Sequence, residues 1–200
     1  VPSEIGSMAA LQELHLQYNE LLTGTVPSSL CEMTALGYIN AITNRLTGTL
    51  PECIAQCTRL TYLNFDTNLL SGSLPAGLAQ MTQVKYMMFG ANRLEQDLPR
   101  GIAALPLLMN MVFDTNLLTG TLPSEWGASL ETMVIQANSF SGSLSSNLGH
   151  SSPRLQQFLA ASNQLTGPLP PSLGLLTKMD YFDVADNFLT GRWLVLVFHA

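Results

Sequence analysis

LTYLNFDTNLLSGSLP, residues 60–75, is the stretch whose reading decides the fold. Leu60, Leu63 and Phe65 precede Asn68 at fixed spacing, and Leu70, Gly72, Leu74 and Pro75 follow it. The same arrangement returns along the chain. Its asparagines are Asn19, Asn44, Asn68, Asn92, Asn116, Asn138, Asn163 and Asn187, at intervals of 25, 24, 24, 24, 22, 25 and 24 residues. A fixed period of this length marks a stacked architecture in which each unit buries its apolar face only against its neighbours. Counting back from each asparagine gives L-x-x-L-x-L-x-x-N, and all 24 apolar slots hold Leu, Ile, Val, Met, Phe or Ala.

The L-x-L portion alternates side chains in and out, as a short strand with one buried face requires. An asparagine at the bend after it can satisfy backbone groups that a buried turn leaves unpaired, so the eight asparagines are expected to form a buried structural ladder. Counting forward, a second block reads L-[ST]-G-[TSP]-[LV]-P, as in LTGTVP (22–27), LTGTLP (46–51), LSGSLP (70–75), LTGTLP (118–123) and LTGPLP (165–170). Its glycine allows positive φ or close approach, and its proline starts the next segment. The two blocks together resemble the leucine-rich repeat family, and L-x-G-x-L-P resembles its plant-type subclass. The resemblance covers roughly residues 1–191. The expected fold is an α/β repeat solenoid, a right-handed superhelix of about eight 24-residue coils. It has a parallel concave sheet, strands near Leu14–Leu16 and its counterparts, and short 3-10 or irregular convex segments.

Composition agrees with one elongated domain. Of the 200 residues, 46% are hydrophobic and 11% charged, enough apolar material for a continuous core. A net charge of −6 and eight scattered basic residues argue against nucleic acid as a partner. No apolar run approaches the ~18 residues of a membrane span. Residues 1–10 read as the back half of a repeat, with Pro2 and Ile5 standing where Pro51 and Ile54 stand later, and eight repeats follow from Leu11. Residues 192–200 leave the pattern and read as a tail or a short terminal strand capping the last coil. The chain is read as a segment of a longer protein, able to be a subunit of a larger assembly.

Cys57 occupies the same core slot as Met33 and is expected to be a buried small hydrophobe. Cys31 and Cys53 lie on adjacent convex segments, but their slots differ by two residues, leaving both a bridge and two free thiols open. The plant-type resemblance implies an extracellular or cell-surface setting, although the chain has no N-x-[ST] acceptor and no export signal. No hydrolase, metalloprotease, phosphate-binding or C-x-x-C motif is present, so the expectation is a non-enzymatic chain without cofactor or metal. His150 in GHSSPR (149–154) reads as a solvated loop residue, and Trp126 as core, filling the slot of Leu30, Ile54 and Leu78 in the shortest repeat.

Function must then come from the outward strand positions, the face the resemblance assigns to partners. One column runs Glu13, Tyr38, Tyr62, Tyr86, Asn110, Thr132, Gln157 and Tyr181, and the next His15, Asn40, Asn64, Met88, Val112, Val134, Leu159 and Asp183. A third runs Gln17, Ile42, Asp66, Gly90, Asp114, Gln136, Ala161 and Ala185. Four successive apolar residues on a solvent-facing strand call for a cover. The candidate partner-binding set is therefore Tyr38, Asn40, Tyr62, Asn64, Asp66, Tyr86, Met88, Val112, Asp114, Val134 and Leu159, taking an apolar protein or peptide segment with a basic residue or two. Two alternatives come from the family resemblance: a polygalacturonase inhibitor, or an ice-binding protein acting through Thr23/Thr25, Thr47/Thr49, Ser71/Ser73, Thr119/Thr121 and Ser141/Ser143. Glu95, Gln96 and Asp97 interrupt that array, and the coil holding them is expected to lack a regular second strand.

Overall fold

The computed structural model describes residues 2–191. The expected tail or cap at 192–200 lies outside these residues. Eight coils, numbered here by their asparagines from Asn19 to Asn187, each contribute one three-residue strand to a single parallel sheet. The strands are Glu13–His15, Tyr38–Asn40, Tyr62–Asn64, Tyr86–Met88, Asn110–Val112, Thr132–Val134, Gln157–Leu159 and Tyr181–Asp183. Each begins and ends one residue earlier than the expected Leu14–Leu16 span. Equivalent residues lie directly opposite one another: Glu13 pairs with Tyr38, Tyr38 with Tyr62, and Tyr62 with Tyr86. The central residue of each interior strand points inward, so Ile39, Leu63, Met87, Met111, Met133 and Phe158 are all fully buried. Phe65, Phe89 and Phe113 stack one above the next at 5.8 and 5.6 Å inside the solenoid.

The bend after each strand explains the asparagines. The residue before each of them adopts a left-handed conformation, from Tyr18 at φ 59° through Thr67 at 55° to Asp186 at 52°. A non-glycine residue there costs about 1–2 kcal/mol, and the hydrogen bonds at the bend offset that cost. Asn68 Nδ2 donates to the carbonyls of Ala41, Phe65 and Asp66, and its Oδ1 accepts from the Leu46 amide of the preceding coil. Coils 3 to 8 repeat this bonding. The ladder is buried only in part. Asn44, Asn68, Asn116 and Asn163 are buried, Asn92, Asn138 and Asn187 half-buried, and Asn19 exposed. Asn19 reaches only the carbonyls of its own coil, Leu16 and Gln17. One extra residue follows it, so the Leu22 amide bonds to the Asn19 carbonyl, and Asn44 Oδ1 is left without the donor its counterparts have.

On the convex side, 3-10 segments start directly after proline at Ser28–Glu32, Glu52–Gln56, Ala76–Gln80 and Pro171–Leu175. A shorter one, Ile102–Ala104, follows Gly101, and Leu148–Ser151 makes a single α-turn. Cys31 and Cys53 sit on two neighbouring segments and form a disulfide, with Cα atoms 5.8 Å apart. A two-residue offset moves a Cα by only about 4 Å along a 3-10 axis, which leaves the pair within reach. Cys57 is free and buried. The coil two residues short of the common period has no convex helix, and Trp126 fills the space at 5% exposure, edge-on to Phe158.

A second set of strands runs along the side of the solenoid after each asparagine. It divides into a five-stranded sheet, from Thr23–Thr25 to Leu117–Thr119, and a three-stranded one, from Ser141–Ser143 to Phe188–Thr190. The expectation for coil 4 is overturned. Arg93–Asp97 is a full five-residue strand, paired to both neighbours. Gln96 takes the glycine's place by adopting φ 71° itself. The coil before it presents Ser73, which lacks the γ-methyl that Thr25 and Thr49 press toward Gly48 and Gly72. Glu95 and Asp97 point to solvent, and Asp97 accepts a hydrogen bond from Thr119 Oγ1 at 2.9 Å.

Candidate functional site

Because the concave sheet pairs without stagger, each sequence column becomes a row on the surface. Tyr38 and Tyr62 stack face to face, centroids 4.3 Å apart and planes 11° from parallel, and Tyr86 continues the row at 5.6 Å with a 45° tilt. His15 extends it at the other end, 4.8 Å from Tyr38. Sequence columns place His15 beside Asn40, so its lean into the tyrosine row is visible only in three dimensions. His15 Nε2 also lies 3.0 Å from Glu13 Oε2, within hydrogen-bond distance.

The ridge is held from beneath. Asn40 Nδ2 donates to the Tyr38 hydroxyl at 3.4 Å and Asn64 Nδ2 to the Tyr62 hydroxyl at 3.3 Å, while their Oδ1 atoms accept from the amides of Ile42 and Asp66. Asn64 is 3% exposed and half-buried Asn40 is bonded the same way, so both position tyrosines rather than offer free groups outward. Burial is the main cause that pushes the Tyr62 phenol up, with Tyr38 and Asp66 acting in the same direction and the Asn64 bond against it.

Beside the ridge, Met88, Val112, Val134 and Leu159 are directly opposite one another in consecutive strands, forming one unbroken apolar row. All four are half-buried, as are Tyr38, Tyr62 and Tyr86. The third column holds Asp66 and Asp114 on either side of Gly90. The Gly90 amide donates to Asp66 Oδ1, and Thr115 Oγ1 donates to Asp114 Oδ2 at 3.1 Å. Burial, with Asp114 adding in the same direction and the Gly90 bond opposing, pushes the Asp66 carboxyl up to about 6. The structure thus brings the candidate residues onto one continuous face. Among the described residues no group of three or more His, Cys, Asp or Glu side chains could hold a metal ion.

The family model described as Leucine Rich Repeat matches residues 10–33, one repeat of the eight. The coils stacked on it carry the same two blocks in the same geometry. The chain has the repeat and the solenoid fold of plant-type leucine-rich repeat proteins. Solved structures agree. The plant peptide hormone receptor RGFR1, solved in complex with RGF2, is similar at TM-score 0.90 and 26% identity, over 94% of this chain and 30% of that one. The ectodomain of the Arabidopsis receptor kinase HAESA, solved with an extended IDA peptide hormone ligand, is similar at TM-score 0.90 and 27% identity, over 98% and 34%. The ectodomain of the Arabidopsis thaliana receptor kinase GASSHO1/SCHENGEN3, solved with CASPARIAN STRIP INTEGRITY FACTOR 2, is similar at 0.83 and 29%, over 98% and 27%. This leucine-rich repeat chain therefore spans about a third or less of the receptor chains it resembles. No curated protein matches it in sequence.

Proposed function

We propose that this leucine-rich repeat chain is a non-enzymatic recognition module that takes a protein or peptide segment on its concave face. The observation that carries this reading is the unbroken half-buried row Met88–Val112–Val134–Leu159 lying beside the stacked Tyr38–Tyr62–Tyr86 ridge. Apolar and aromatic side chains in that arrangement suit a buried interface better than a solvated one, because covering them removes apolar area from water at about 25 cal/mol per Å². Aromatic anchors held rigid before binding lose little side-chain entropy on contact. The receptors of like fold were solved with peptide hormones, which supports a peptide as the partner class. Likeness to receptor ectodomains and the Cys31–Cys53 disulfide support an extracellular or cell-surface setting, since disulfides persist in oxidising compartments.

The test is a selection of binders from a displayed random-peptide library, followed by calorimetry on wild type and a Tyr62→Ala/Met88→Ala variant. Both side chains point away from the core, so the circular dichroism spectrum and melting point should hold while affinity falls by about 2 kcal/mol or more. Equal affinity of the folded variant would move the binding face elsewhere.

A further inference from the structure

The step from coil 1 to coil 2 is held differently from the others. Between coils 3 and 4, the amides of Phe65, Thr67 and Asn68 donate to the carbonyls of Met88, Gly90 and Ala91, and the Leu70 amide donates to Asn92 Oδ1. Equivalent bonds join coils 2 and 3 and every later pair. Between coils 1 and 2 only the first two of the set form, from Leu16 to Asn40 and from Tyr18 to Ile42. The Asn19 amide has no bond to Thr43, and the Leu22 amide turns back to Asn19, which leaves Asn44 Oδ1 buried without a donor. Strand pairing continues across this step on the concave and lateral sides. The same step carries the Cys31–Cys53 disulfide, the one covalent tie between coils. Beside it, Leu30 of coil 1 lies over Cys57 of coil 2: Cys57 Sγ is 3.8 Å from the Leu30 carbonyl oxygen, and Cys57 is 1% exposed.

We propose that the Cys31–Cys53 disulfide is a redox latch on the joint between coils 1 and 2. A solenoid is held by its coils and by the interfaces between neighbours, so it opens first at the interface with the fewest bonds. Closed, the bridge pins Leu30, next in sequence to Cys31, over Cys57 and limits the freedom that segment 2–35 gains by detaching. The opening reaction is exchange with a dithiol reductant. One thiolate of the reductant attacks Cys53 Sγ, the more exposed of the pair; the Cys31–Cys53 bond breaks, and Cys31 leaves as a thiolate that takes up a proton. The second thiol of the reductant then breaks the mixed disulfide, frees Cys53 as a thiol and closes the reductant's own disulfide, so two electrons pass from the reductant to the protein. Segment 2–35 then detaches while coils 2 to 8, whose steps keep the full set of bonds, stay folded. Burial pushes the Cys57 thiol up, so Cys57 stays unreactive until the joint opens.

Cys57 reports the opening. It is the one free thiol of the oxidised chain and again the one thiol of Cys31→Ser/Cys53→Ser. Under native conditions N-ethylmaleimide should label it about 10-fold or more faster in that variant than in oxidised wild type. Amide hydrogen exchange of wild type with and without dithiothreitol locates the opening. On reduction the amides of Leu16, Tyr18 and Gly37, whose bonds cross the joint, should lose protection, whereas those of Phe89, Phe113 and Ile135 in coils 4 to 6 keep theirs. Equal labelling of the two folded proteins, or unchanged exchange at Leu16, Tyr18 and Gly37, means that noncovalent contacts hold the joint by themselves and overturns the latch. Protection lost along the whole chain means that the bridge holds the entire solenoid, and overturns it as well. If the serine variant fails to fold, exchange in reduced wild type decides between these outcomes.

Discussion

The concave and lateral sheets are made by the same eight repeats, yet they stack them differently. On the concave side Tyr38 lies opposite Tyr62, slot against identical slot. On the lateral side Thr47 lies opposite Leu69 and Glu95 opposite Leu117, a stagger of two residues at each step. The concave sheet runs unbroken through eight strands, whereas the lateral one splits between Leu117–Thr119 and Ser141–Ser143, with only the Thr121–Ser141 bridge across the gap. A column in the sequence is therefore a row in space on one face and a diagonal on the other. The threonine array of the second block shows this: Thr25 neighbours Thr47, not its counterpart Thr49. The uniform stagger makes the array oblique, and Glu95, Asp97 and the split between the two lateral sheets interrupt it.

The two sheets should also differ in how they fail. Leu63 is fully buried at the centre of a concave strand, and Leu63→Ala should cost about 2–5 kcal/mol through the cavity it leaves, measured by urea unfolding. Gly48 belongs to the lateral sheet, with φ 75° and a would-be β-carbon 2.9 Å from Thr25 Cγ2. Gly48→Ala should cost about 1–3 kcal/mol from backbone strain, and adding Thr25→Ser should recover part of it. A glycine substitution that costs as much as Leu63→Ala would erase the contrast between a core-bearing sheet and a strain-limited one.

A smaller effect of opposite sign is expected at Gln96, which holds φ 71° without being glycine. Gln96→Gly removes about 1–2 kcal/mol of left-handed strain and adds about 0.5–1 kcal/mol of chain entropy to lose, so a net gain of a few tenths to about 1 kcal/mol should appear as a raised melting point. A lowered melting point would mean that the glutamine side chain holds the lateral strand in place.

The subtlest signature is in pH. In the folded chain Asp66 faces Asp114 across Gly90 and the Tyr62 phenol within its own coil, and burial holds its proton up to about pH 6, whereas an unhindered carboxyl releases it near 3.8. Between these values the folded state carries more protons than the unfolded one, so this group's contribution to stability falls as pH rises from about 4 to 6. The slope should be lost in Asp66→Asn, compared by thermal melts across that window.

Much of this was legible in one dimension. The asparagine period and the inward Leu-x-x-Leu-x-Leu slots specify the stacked coils, because a 24-residue unit with one apolar face has no other way to bury it. The tyrosine ridge and the apolar row were legible for a related reason: an unstaggered parallel sheet carries sequence columns directly into surface rows. Coil 4 was misread because a missing glycine was taken as a missing strand. Backbone conformation answers to the space around it, and Ser73 in the preceding coil left enough for Gln96 to turn left-handed.

What the sequence determined alone is thus everything that depends on period and alternation: the number of coils, the buried slots, and which side chains share the concave face. Tertiary structure decided what depends on distances between coils. It bridged Cys31 to Cys53 across a two-residue offset, bonded Asn40 and Asn64 to the tyrosine hydroxyls, leaned His15 onto Tyr38, and aimed two aspartates two coils apart at one glycine. Except for the two asparagine–tyrosine bonds, which join residues two apart along one strand, these are contacts of a few ångström between residues more than twenty apart in the chain, and no local pattern encodes the stagger and curvature that set them.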